Sequence, residues 1–117
     1  SDSTIYLSGF LNPSAPAVEH FQFQLFRDTT QIAMGDASSA RARISFGFRF
    51  DADTVLAADS TTFQWIDSPG DTSEHVYSLK WMSNSSTSKY LGRSSDSTDN
   101  ANYGMSPNQM VAMEILA

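Results

Sequence analysis

Residues 43–50 read Arg43-Ile44-Ser45-Phe46-Gly47-Phe48-Arg49-Phe50, and this stretch decides the fold class. Successive side chains of an extended strand point to opposite faces, so Ile44, Phe46, Phe48 and Phe50 lie on one side. Arg43, Ser45, Gly47 and Arg49 lie on the other. An apolar residue at every second position does not make a helical stripe, whose period is 3.6. The stretch is therefore expected to be a strand with one face in a core and one in water. Residues 20–27 repeat the pattern, with Phe21, Phe23 and Leu25 on one side and Gln22, Gln24 and Phe26 on the other.

Outward from these two runs, shorter alternating segments occupy residues 4–11, 30–34, 61–66, 74–82, 89–92 and 110–116. Turn-forming clusters separate them: Asn12-Pro13-Ser14-Ala15-Pro16, residues 35–39, residues 51–53, Ser68-Pro69-Gly70-Asp71, residues 84–88 and residues 94–102. Residues 55–58 are read as one short helical turn between sheets. Eight short strands with turns at close spacing predict an all-β fold, an eight-stranded antiparallel β-sandwich of the jelly-roll type. At 117 residues the chain fits one such domain, residues 1–117.

Charge and composition exclude several functions. A net charge of −6 repels the phosphate backbone of nucleic acid, and the seven basic residues are scattered with no basic stripe. The absence of cysteine rules out disulfides, thiolate metal sites and a cysteine nucleophile. No apolar run approaches the roughly 18 residues of a membrane span, and no charged-then-apolar leader opens the sequence. An intracellular origin with no membrane partner is the expectation, and Ser1 is the kind of small residue left after removal of an initiator methionine.

Catalytic or metal chemistry finds little footing. His20 and His75 each follow a glutamate, but neighbours on a strand face opposite ways, so Glu19-His20 and Glu74-His75 make no shared site by themselves. Asp51, Asp53 and Asp59 form one acidic group, and Asp96, Asp99 and Asn100 another. Neither has the central glycine and closing glutamate of an EF-hand, so solvated loop acids are preferred to a calcium site. No serine sits in a nucleophile elbow, and no paired carboxylates are legible. Asn84-Ser85-Ser86 fits a glycosylation sequon but reads as a loop. The chain is therefore expected to be no enzyme and to need no cofactor. Trp65, Trp81, Tyr77, Tyr90 and Tyr103 would suit a sugar-stacking platform. Since Tyr77 and Trp81 share a face with Leu79, they are assigned to the core.

The terminal segment Met110-Val111-Ala112-Met113-Glu114-Ile115-Leu116-Ala117 is apolar on both faces apart from Glu114. One small core can cover only one of them. Val111, Met113 and Ile115 are expected to fill the sandwich, and Met110, Ala112, Glu114 and Leu116 to meet a neighbouring copy.

Four segments in this order carry a resemblance: residues 63–70, Phe63-Gln64-Trp65-Ile66-Asp67-Ser68-Pro69-Gly70; residues 75–81, His75-Val76-Tyr77-Ser78-Leu79-Lys80-Trp81; residues 89–94, Lys89-Tyr90-Leu91-Gly92-Arg93-Ser94; and the closing Val111-Ala112-Met113-Glu114-Ile115. Together they cover about the last half of the chain, and they resemble the ends of phage virion structural proteins. The resemblance implies a tumour-necrosis-factor-like or viral jelly-roll domain, typically trimeric, in head-decoration (cement) proteins or tail-fibre tips. It implies a homotrimer on the capsid surface of a virion that binds and stabilises the major capsid protein shell. Met110, Ala112, Glu114 and Leu116 would form the trimer interface, and Ile5, Tyr6, Leu7 and Phe10 would touch the capsid. Decoration is preferred to a fibre because the chain shows neither shaft nor attachment segment. The alternatives are a carbohydrate-binding receptor head of a tail fibre or spike, and a free carbohydrate-binding module.

Overall fold

The computed structural model of the protein describes residues 3–16, 19–50, 58–82, 85–96, 99–101 and 103–116, with Phe48 described by its backbone alone. Among them are nine strands and no helix: β1 (Thr4–Leu11), β2 (Pro13–Ser14), β3 (His20–Arg27), β4 (Thr30–Ile32), β5 (Phe46–Arg49), β6 (Thr61–Asp67), β7 (Tyr77–Met82), β8 (Tyr90–Leu91) and β9 (Gln109–Ile115). The fold is all-β, and each strand pairing is antiparallel. Residues 55–57 of the expected helical turn, and Asp51 and Asp53, lie outside the described residues.

Two layers organise the chain. One sheet has the order β6-β1-β9. The other is built on β3, with β7 along one edge and the other edge shared end to end by β4, opposite Leu25 to Arg27, and β5, opposite His20 to Phe23. Ser45 makes that junction: its hydroxyl accepts from the Leu25 N–H at 2.8 Å and donates to the Ile32 carbonyl at 3.3 Å. This is why β5 begins at Phe46 and not at Arg43. The side chain of Ser45 has taken a ladder position of β3.

The expected apolar faces meet between the layers. Phe21, Phe23 and Leu25 are each 1% exposed, and Leu7 and Phe50 are fully buried. Phe23 stacks on Phe21 at 4.9 Å and on Phe46 at 4.8 Å, and Phe46 stacks on Phe63 of the opposite sheet at 5.2 Å. Such offset aromatic contacts add about 0.5–1.5 kcal/mol each beyond area burial. The stack leaves no room at Gly9, where a Cβ would lie 2.6 Å from the Phe63 ring and against the Gln109 carbonyl. Gly9 is thus the gap in β1 that lets Phe63 cross towards Phe46.

The strand beyond the expected eight, β2 (Pro13–Ser14), falls inside a segment whose composition predicts a turn. It pairs with Tyr90–Leu91, and Ser14 is fully buried with its hydroxyl donating 2.6 Å to the Arg93 carbonyl. Proline is tolerated there because the strand is two residues long and paired on one side. β7 starts at Tyr77 and not Glu74, because the His75 ring and the Val76 N–H are drawn into contacts with Asp28 and Asp71.

Candidate interaction surface

Register assigns every side chain of β9 to a face. Leu7 pairs with Ala112, Gly9 with Met110 and Ile5 with Glu114, so these β9 residues point inward, towards the second sheet. Val111, Met113 and Ile115 stand opposite Ser8, Tyr6 and Thr4 and point outward. They are 40%, 53% and 46% exposed. The expectation that they fill the sandwich is therefore corrected: the segment is apolar at both parities, so its own pattern cannot choose a face, and pairing with β1 makes the choice. The inward set does not become core either, since every residue of β9 is exposed. The strand stands at the end of its sheet, and among the described residues no strand pairs with its outer edge.

The outward face of the first sheet continues this apolar surface. Tyr6 lies between Met113 on one neighbour and Ile66, 60% exposed, on the other. Phe10 is half-buried at the far end, and a shallow depression of about 590 Å³ runs past Tyr6, Ser8, Phe10, Gln64, Gln109 and Val111. No Asp, Glu, Lys or Arg stands at an outward position of these three strands. The opposite face of the molecule, by contrast, presents Arg49 and Lys80. Of the expected shell contacts, Tyr6 and Phe10 are on the uncharged face. Ile5 faces inward, and Leu7 is corrected to the core because its odd position in β1 places it under the second sheet, fully buried.

Two polar clusters join the layers and the loops. Asp67 of β6 accepts from Arg27 Nη1 and from the Tyr77 hydroxyl, both at 2.8 Å, with Asp67 7% exposed. Arg27 and Tyr77 are directly opposed on β3 and β7, so the carboxylate of one sheet is held by two donors of the other. Burial, and then the bond to Asp67, push the Tyr77 hydroxyl well above its ordinary pKa, and Asp67 raises that of Arg27.

In the second cluster, His75 Nδ1 is 2.7 Å from Asp28 Oδ2 and Nε2 is 3.0 Å from Asp71 Oδ1. With a carboxylate on each nitrogen the doubly protonated ring is favoured, and the Asp28 bond, then Asp71, raises the His75 pKa. Asp28, left-handed at φ 52° in the β3–β4 turn, also accepts from the Val76 N–H at 2.8 Å. That bond, then His75, lowers its pKa, with Arg27 adding to the effect. Asp71 is lowered first by the Ser73 N–H and also by His75. The adjacent Glu74 takes no part in these bonds.

The sign of the pH dependence follows. The raised His75 contributes stability that is complete below its unfolded value of about 6.5 and is lost as pH rises through its folded value. The lowered Asp28 and Asp71 contribute stability present above the ordinary carboxylate range and lost as pH falls. Thermal melts between pH 4 and 9 are expected to peak near pH 5–6, and His75→Gln is expected to flatten the alkaline decline. Parallel alkaline slopes for the two proteins would contradict the assignment.

The remaining candidates stay apart. Among the described residues, Asp59, Asp96 and Asp99 included, no group of three His, Asp or Glu side chains could hold a metal ion. Trp81 is 52% exposed and leans on Phe21 at 5.1 Å, so it caps the core edge instead of entering it. No helix among the described residues is long and apolar enough to cross a membrane. Compared with family models, with characterised proteins and with solved structures, the chain finds no match.

Proposed function

We propose that this chain is a structural assembly module: a homotrimeric capsid-decoration (cement) protein of the jelly-roll type that binds and stabilises a shell of major capsid protein. One observation carries the reading. Among the described residues twelve large apolar side chains are exposed, against seven hydrophobic residues buried, and five of the exposed ones lie on or beyond β9 (Met110, Val111, Met113, Ile115, Leu116). Large apolar side chains gathered in the open along one strand favour a surface that a partner covers.

Dimensions support this. A 12.8 kDa monomer is expected to expose about 6,300 Å². This chain exposes 7337 Å² and measures 51 × 37 × 18 Å, the thickness of two stacked sheets. The first strand sits between β6 and the last strand, and β3–β4 is the one sequential hairpin among the described pairings. Such long-range pairing suits a jelly roll. In a capsid-decoration role binding, multiplied over many equivalent shell sites, is the whole mechanism.

The test is sedimentation with purified, expanded capsids of the virus that encodes the chain. Binding at one fixed ratio, saturating with the number of equivalent lattice sites, is the expected result. Failure to bind shells, with retention on host cells or immobilised glycans, would replace the reading by the receptor-binding head. That second reading is favoured by one feature, the exposed Trp81 beside Lys89, Met82 and Thr87 in a depression of about 230 Å³.

A further inference from the structure

We infer that copies of this chain associate through the uncharged outward face of the β6-β1-β9 sheet, centred on Tyr6, Ile66, Val111, Met113 and Ile115, and not through the inward-pointing set of β9. The inference rests on the homotrimer reading and specifies its interface.

Charge selects a second copy as the occupant. Every copy carries −6, so two copies brought together repel, and a self-contact is least opposed where neither surface bears charge. The chain has twenty charged side chains, and among the described residues none stands at an outward position of these three strands. A foreign partner imposes no such condition, since a basic shell surface would meet acidic side chains at its own contact.

Exposure agrees. Ile66, Val111, Met113 and Ile115 on this face are 60%, 40%, 53% and 46% exposed, apolar surface that a second copy would cover. The geometry of the face is also suitable: Tyr6 is braced by its hydroxyl on Gln64 at 3.2 Å, a rigid aromatic anchor flanked by Met113 and Ile66. Glu114 lies on the inward side of β9, near Ile5 and Tyr77, where it stays out of the contact.

Light scattering of the native protein is expected to give three chain masses. Met113→Asp places a charge at a position 53% exposed in the separate chain, so the variant is expected to keep its far-ultraviolet circular dichroism while its mass falls threefold. Because the chain has no cysteine, Met113→Cys or Ile66→Cys gives a unique thiol. Either is expected to cross-link between copies with a short bis-maleimide, whereas Leu116→Cys is not. A native monomer would sink the homotrimer and this interface together. A native trimer that survives Met113→Asp, with cross-linking at Leu116→Cys alone, would overturn the interface and leave the homotrimer standing. A native dimer split by Met113→Asp would uphold the face and overturn the threefold count.

Discussion

Replacing Phe23 by alanine is expected to cost about 3–5 kcal/mol of unfolding free energy. Domains of this size are typically stable by about 5–15 kcal/mol, so the variant would sit near the edge of folding. The reason is position. Phe23 is 1% exposed, held between the rings of Phe21 and Phe46, and Phe46 passes the contact on to Phe63 of the other sheet. Its removal leaves a void in the middle of a row of rings that cannot slide to close it, because Phe21 is also fixed against Phe50 and Trp81. Melting temperature is expected to fall by on the order of 10–20 °C. Phe26 provides the comparison: it belongs to the same strand but the opposite face, where Lys80 Nζ lies 3.9 Å from its ring centre. Phe26→Ala forfeits that contact and some partial burial, about 1 kcal/mol. Equal losses at both positions, measured by urea unfolding, would contradict the two-faced strand.

The same strand shows what could be read from the chain alone. Residues 20–27 and 4–11 have strand bounds identical to those their alternation predicts, since one face of each is strongly apolar and the other is not. The pattern failed where it carried no such contrast. In residues 110–116 both parities are apolar, and only the pairing of Ile5 with Glu114 and Tyr6 with Met113, more than a hundred positions away, says which set looks outward. Pro13–Ser14 is a strand because Tyr90–Leu91 arrives beside it, a fact absent from its own composition. The polar clusters were hidden for the same cause. His75 follows Glu74 in sequence, while its partner Asp28 lies 47 positions away across the β3–β7 pairing. Local chemistry was legible; chemistry assembled by long-range register was not.

The cluster of Arg27, Asp67 and Tyr77 supports the second large effect. Asp67→Ala is expected to destabilise the protein by about 2–4 kcal/mol, since it leaves a guanidinium and a phenol without their acceptor between two sheets. The value is set below that of a fully buried pair because the Arg27 side chain is 22% exposed and regains some water. Removing both charges is a different experiment. Arg27→Met with Asp67→Leu replaces the pair by apolar side chains of similar size, and is expected to cost less than the sum of the single changes by about 1–3 kcal/mol. Tyr77 reports independently on the same site. Its raised pKa means a contribution that is complete below the unfolded value of about 10 and is lost as pH rises through the folded value. Alkaline titration followed by tyrosine absorbance should therefore show one group that ionises late in the native protein, and that ionises earlier in Asp67→Ala. The cluster lies at the opposite end of the sheet interface from the Phe46–Phe63 stack, so these two contacts between them hold β6-β1-β9 flat against its partner. The proposed self-association face is the back of that sheet, and Asp67→Ala is expected to weaken the assembly without touching the interface. Additive single-variant costs and an unchanged tyrosine titration would show that Asp67 does not couple the layers.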